Sequence, residues 1–531
     1  MKDNYSFDMR QGIGIWGLPK DVFAVTMVQA ALFRSFSRAQ VCRLNDLSDL
    51  TQNIRCVVLV NPSNEMFLHI MKCREMKIVL LGTLDSMWAE FIGAKISSVP
   101  QTWAFGDSTL YAGDNCYSHS PWQIDYSSHE LTQRIPYKNR YLSRFDFTDE
   151  WNNHGYGRIW AHKESPFALA ADVDCGSDAV ELARVEDGQG KKVTSYAIVR
   201  ENSDFSVLWI NRAVGLIDSL EWSIIETFLS DYRSESLCCF PRLLEIPAGV
   251  SGICTMRLDC DQAIASARPL FELYQQEKIP FSLAILTGLS LNADDKALIR
   301  DVIDSGGGIL SHSVNHLPDW GGNYETAFYE ASESKQWLIN NCSLQKPYYL
   351  VSPFHQNSRY AVKAMVDSGY SGFVGGIIHN DPEYLFARSG VVPYHEEDDF
   401  FSLSQQCMLH GDCFHQYGNS IAPYIEAFEN QMAGEGIFGY LDHPFSSAYQ
   451  YGWLDEEERL VAHQALIRQM KSHANIRFCN LGETMEFCRK RSQAQVWIDE
   501  NTELNFHLPN LAVNDNFIIQ AVWKNQKYSL R

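Results

Sequence analysis

Short apolar runs of strand length alternate along the chain with stretches in which apolar positions recur every three or four residues. That is the mark of strands separated by helices. Residues 54–60 (IRCVVLV) and 76–81 (MKIVLL) are almost wholly apolar, as expected of strands buried on both faces. A helix is expected over 21–36. Further strands are expected at 195–200 (SYAIVR) and 205–210 (FSVLWI), then an amphipathic helix over 219–233. From Ile253 the alternation restarts: strand 253–258, helix 262–277, strand 281–286, helix 293–305, strand 308–311 and helix 324–341. It ends with a helix at 455–472, a strand at 476–479 and a helix at 482–491.

Strands and helices taken in turn predict an α/β protein. Residues 1–235 are expected to form an open α/β sheet domain. Residues 250–492 form a second α/β unit, reached through 234–249 (SESLCCFPRLLEIPAG). Residues 493–531, with short strand-like runs such as AQVWIDE and NFIIQAVW, form a small β appendage. Packing is the first expectation for that appendage and carbohydrate binding the second. The first unit loosely resembles a flavodoxin-like or glutamine amidotransferase-like domain. An amidotransferase needs a cysteine at the sharp turn after a strand, and the corresponding turn carries Thr83, so a non-catalytic scaffold offering a surface to a protein partner is expected. Residues 101–160, rich in Trp, Tyr, Asn and His, lack periodicity and read as a long excursion from the sheet.

With 531 residues, one core is not enough and two or three are expected. The net charge of −21, from 44 basic and 65 acidic side chains, repels phosphate backbones and excludes nucleic acid as the expected partner. The acidic run Glu396, Glu397, Asp398, Asp399 reads as a solvated loop. No stretch reaches the roughly 18 apolar residues of a membrane span, and the first residues lack a signal peptide's pattern. A cytoplasmic protein without a transmembrane segment is the expectation. The 14 cysteines contain no CxxC pair and read as reduced, mostly buried thiols.

Chemistry concentrates where the apolar runs of the second unit end, the position at which parallel sheets place their sites. One run ends in Arg257-Leu258-Asp259-Cys260-Asp261. Carboxylates two apart face the same side of a strand, although such pairs also cap helices. A second ends in His312-Ser313-Val314-Asn315-His316, two imidazoles four apart and close enough to share one ion. A third ends in Ser352-Pro353-Phe354-His355 and a fourth in Leu441-Asp442-His443-Pro444.

These segments, in this order, resemble the motifs of the polysaccharide deacetylase superfamily: an aspartate pair, H-x-x-x-H, an aromatic-proline loop, and a late strand ending in histidine. KIPFSLAIL, IRDVIDSGGGILSHSVNH and AVKAMVDSGYSGF are similar to the family's text between motifs. The resemblance covers about 250–490. It implies a distorted (β/α) barrel and a divalent metal, zinc first, bound by Asp261, His312 and His316. It further implies Asp259 as general base, His443 as general acid, and Ser313 as the residue that steadies the histidine loop. The chain departs from the motif in placing Cys260 between the aspartates and in carrying Val351 and Ser352 where the loop arginine normally lies. Arg257, on the same strand face as Asp259, is expected to supply the missing cation.

Substrate contacts are expected from Phe354, His355, His410, Asp412, His415 and Trp453. The cluster His410–His415 reads as pocket lining, as a second metal site, or as the place where Asp412 orients His443. His355 and His379 read as pocket wall or as ordinary polar loop. Tyr449, Tyr451 and Trp453 would stack on a sugar ring or pack the rim. The implied activity is N-deacetylation of an acetamido sugar, with a precursor of surface polysaccharide (O-antigen or capsule) as the expected substrate. The rivals are hydrolysis of another amide or ester, and a degenerate site serving as a scaffold.

Overall fold

A computed structural model describes residues 12–46, 49–50, 54–100, 122–141, 166, 168–216, 220–346, 348–377, 390–393, 395, 400–405, 407–416, 418–499, 502–509 and 517–531. His379, the acidic run at 396–399 and most of the 101–160 excursion lie outside these residues.

Two mixed α/β layers account for most of the chain. The first sheet has nine strands, in the order Val41–Arg43, Gly12–Gly17, Ile54–Val60, Met76–Leu81, Phe205–Ile210, Lys192–Glu201, Val180–Glu186, Gln123–Tyr126 and Asn139–Tyr141. The first five run parallel, in the 2-1-3-4-5 order of flavodoxin-type sheets. The remaining four extend the sheet antiparallel. Ile54–Val60 and Met76–Leu81 are buried on both faces, as their composition requires. The helix Val22–Phe33 is apolar nearly all round. It meets the first sheet on one side and the strand Gly390–Val391 of the second on the other.

The second sheet runs Gly390–Val391, Phe401–Gln405, Gly372–Ile377, Tyr349–Val351, Gly308–Ser311, Ser282–Ile285, Gly252–Cys260, Ile437–Asp442, Cys407–Met408, and Ile476–Phe478 also pairs with Gly252–Cys260. Every pairing is parallel except that of Gly390–Val391. Its path is open. The segments 401–405 and 407–408 pair with opposite flanks of the sheet, to either side of residue 406.

Because the strands are parallel, their carboxyl ends gather on one side. Along one face the side chains change character. Ile253, Ala284, Leu310, Val351 and Leu403 are apolar and pack on Leu481, Met485 and Cys488 of the helix Leu481–Gln493. Further along, Arg257, Asp259, His312 and Gln405 are polar yet almost wholly buried. A buried polar cluster at strand ends is costly unless its members satisfy one another.

The segment expected to be a linker is structured and buried. Arg242–Leu243 pairs antiparallel with Ile519–Trp523, which pairs with Gln526–Leu530, so linker and tail share a three-stranded sheet. The other tail strands, Gln495–Ile498 and Leu504–His507, form a hairpin.

Candidate metal and catalytic centre

Asp261 follows the strand Gly252–Cys260, and His312 follows Gly308–Ser311. Parallel pairing through Ser282–Ile285 brings the two strand ends together. The loop 312–316 is shaped by buried acceptors. Glu330, 1% exposed, takes the backbone N–H groups of Val314 (2.9 Å) and Asn315 (2.8 Å) and the Asn315 side-chain amide (2.6 Å). Ser313 Oγ accepts the His316 N–H at 3.0 Å, so Ser313 braces the loop. Ser313 and His316 have positive φ (66° and 52°), as do Phe354 (51°) and His355 (56°) on the facing loop. Four non-glycine residues in this region at one place are backbone strain held by the surrounding hydrogen bonds.

The strained loop directs both imidazoles at Asp261. His312 Nε2 lies 3.3 Å and His316 Nε2 3.7 Å from Asp261 Oδ1, and the two nitrogens are 3.1 Å apart. His312 Nδ1 meets the Val351 carbonyl at 3.0 Å, which leaves Nε2 as the free lone pair, the usual arrangement of a metal-ligating histidine. Asp261 Oδ1 is buried with no hydrogen-bond donor. Two imidazole nitrogens and an orphaned carboxylate oxygen within 4.8 Å fit a divalent cation of the zinc class.

Burial pushes the Asp261 carboxyl up, but His312 and His443 more than offset this and hold it well below the usual carboxylate range. Burial, then His312, lowers His316 to about 4, so this ring is neutral and its lone pair open near neutral pH.

Asp259 sits one pleat behind. Arg257 grips it with two donors, Nε to Oδ1 at 2.6 Å and Nη2 to Oδ2 at 2.9 Å, a bidentate pair. Burial works to raise this carboxyl, and Arg257, followed by His312, brings it far below its ordinary value. Gln405, completely buried, accepts a hydrogen bond from Arg257 Nη1 and donates to the Tyr440 carbonyl at 3.3 Å. Gln405 carries no motif signal. It is found only because residues far apart in sequence meet across the sheet.

His443 follows Ile437–Asp442 and points Nε2 at Asp261 Oδ2, 3.5 Å away. Its Nδ1 lies 2.6 Å from His410 Nε2. Burial first, then His443, lowers His410 to about 3 and keeps that ring neutral. Asp412, expected as one way of orienting His443, is exposed, and His410 takes that place instead. The other neighbour is Asp442, whose Oδ1 accepts the His443 N–H at 2.8 Å. Arg459, fully buried, donates to the His443 carbonyl at 2.8 Å, so its peptide is held on both sides. His410, Asp442 and His443 form a second group of possible ligands. The Asp442 oxygens are already engaged by the His443 amide and by His463 Nε2 at 3.0 Å.

Tyr451 stacks on His443 with ring centroids 4.0 Å apart and donates to Asp261 Oδ2 at 3.2 Å, so it packs the centre. Tyr449 is exposed. Trp453 is 3% exposed and directs Nε1 toward Asp442 at 3.4 Å, which makes it part of the packed wall rather than an open stacking face. Phe354 lies against His316, centroids 4.4 Å apart, and His355 is buried. His415 turns to Glu458 at 2.9 Å.

No family model matches the chain, and no curated protein sequence matches it. Among solved structures the chain is similar to the carbohydrate deacetylase Agd3, with 9% identity and a TM-score of 0.38 over 96% of this chain and 93% of that one. It is also similar to the chitin deacetylase of the fungal pathogen Colletotrichum lindemuthianum (12%, TM-score 0.32, 45% and 89%). A third is the family 4 carbohydrate esterase of Streptomyces lividans (12%, TM-score 0.30, 44% and 93%).

Proposed function

We propose that residues 250–492 are a metal-dependent hydrolase that removes an acetyl group from an acetylated sugar, an acetamido sugar first. The observation that carries this reading is the Asp261–His312–His316 cluster, whose buried Oδ1 lacks a donor, with an arginine-bound carboxylate and a third histidine beside it. Asp261, His312 and His316 would hold the ion. When bound, a divalent cation lowers the pKa of water and polarises a carbonyl.

The remaining work falls to the chain. Asp259 receives the proton of the attacking water, and the Arg257 fork holds its carboxylate in one orientation. His443 Nε2 returns a proton to the departing amine, and His410 together with the Asp442–Arg459 clamp fixes the ring that does so. The backbone N–H of Phe354 would meet the developing oxyanion. A nucleotide- or lipid-linked precursor of surface polysaccharide is the substrate we favour.

The test is metal analysis of the purified full chain beside His312→Ala, followed by acetate release from N-acetylated and O-acetylated sugars. Stoichiometric metal in the wild type, its loss in the variant, and acetate release by the wild type alone are expected. A wild type that neither holds nor takes up metal sinks the reading.

A further inference from the structure

Lys77 lies in the middle of the first sheet, in the strand Met76–Leu81, and is 0% exposed. A buried ammonium or amine is costly unless an acid or hydrogen-bonding partner compensates it. No carboxylate pairs with Lys77 among the described residues. Its Nζ instead lies 2.9 Å from Cys239 Sγ, with the Phe228 ring 5.9 Å away. Cys239 belongs to the segment joining the two halves of the chain, and the sulfur is also 3.7 Å from the Tyr232 carbonyl. Its own carbonyl is held by Trp523 Nε1 at 2.8 Å. Cys239 borders open space, while Lys77 lies behind it. Cys238 and Cys239 line a cavity of about 210 Å³ with Arg55, Glu75, Trp523 and Lys524. None of these groups takes part in the proposed hydrolysis.

The geometry points to a redox modification site: Cys239 and Lys77 become covalently joined through one oxygen atom under peroxide, tying the first sheet to the segment that leads into the second. The cavity that Cys239 borders would be the route for a small oxidant. In the first step the thiol is oxidised by two electrons to the sulfenic acid: R–SH + H₂O₂ → R–SOH + H₂O. In the second, a further peroxide oxidises the amine nitrogen by two electrons as the N–O bond forms: R–SOH + H₂N–R′ + H₂O₂ → R–S–O–NH–R′ + 2 H₂O. The amine loses one proton and the sulfenic acid the other, and both leave in water. The observed separation suits two atoms joined through one oxygen. The staple would close a loop between positions 162 apart, and cross-links over long loops restrict the unfolded chain most.

The experiment is peptide mapping by mass spectrometry of the full chain, reduced or exposed to hydrogen peroxide, with unfolding midpoints for both. The expected result is a Lys77–Cys239 peptide pair heavier by one oxygen and lighter by two hydrogens than its separate parts. Dithiothreitol should reverse it, and the oxidised midpoint should be several degrees higher. Lys77→Met and Cys239→Ser should each lack the pair and the shift. Recovery of Cys239 as a disulfide with Cys238, as an unlinked sulfinic acid, or unmodified would overturn the proposal. The wild-type map decides even if a variant fails to fold.

Discussion

Arg257 shows how much a single side chain settles at this centre. Its two donors meet both oxygens of Asp259, and Gln405 fixes the remaining edge of the guanidinium. A lysine keeps the charge but cannot form the fork. Arg257→Lys should therefore lower kcat about tenfold to a hundredfold while the metal content, measured by elemental analysis, stays unchanged. Equal loss of metal would show that the arginine builds the site rather than orienting the base.

His410 makes a prediction about pH. Its folded value is about 3, depressed by burial and then by His443, against about 6.5 in an unfolded chain. Between those values the unfolded state binds the extra proton. Stability is thus fully present above about 6.5 and falls as pH drops toward 3. At pH 5 this one group costs roughly 2 kcal/mol at most. Urea denaturation of metal-free protein at pH 7 and pH 5 should show a smaller drop for His410→Gln than for the wild type.

Among elements, the histidine loop and the helix Tyr324–Cys342 are one unit. Glu330 projects from that helix into the loop and takes three donors at once. Glu330→Ala removes the acceptor of two part-buried backbone N–H groups, at about 1 kcal/mol each. Weaker metal binding and a lower unfolding midpoint should follow, with Glu330→Gln retaining part of both because one acceptor oxygen remains. The Glu330 contact was not legible in the sequence, since a glutamate 14 positions beyond His316 looks like any solvated residue of an amphipathic helix. Many of the strands and helices were legible. The expected runs at 54–60, 76–81, 205–210 and 308–311 coincide with observed strands, and the helix expected at 293–305 spans Ala293–Asp304. Buried parallel strands are apolar runs by necessity, so they announce themselves. The short strands Phe401–Gln405 and Cys407–Met408 carried no such mark.

Over the whole molecule, the tail and the segment 234–249 stitch the two sheets together. Arg491, 1% exposed, gives its donors to the backbone carbonyls of Leu244 at 2.7 Å, Leu243 at 3.3 Å and Arg34. Ser37 of the first unit pairs with Val496 through both N–H and C=O. Lys524 N–H reaches the Ser230 carbonyl at 3.1 Å. Arg491→Met should leave three carbonyls, in two segments, without their shared donor and cost about 3 kcal/mol. Denaturation followed by intrinsic fluorescence should then resolve two transitions where the wild type shows one. A single unshifted transition would mean that the two sheets are held by other contacts.

The chain's own pattern was enough to determine the α/β class and the strand ends at which polar residues collect, and the resemblance of its short motifs pointed to Asp261, His312 and His316. Each of these is written in local periodicity or in the spacing of a short motif. The tertiary structure alone decided which residues serve that set. Gln405 behind Arg257, His410 rather than Asp412 beside His443, Glu330 under the histidine loop and Lys77 against Cys239 are all pairings across long sequence separations. A side chain's partner there depends on sheet order and register, which local pattern does not encode.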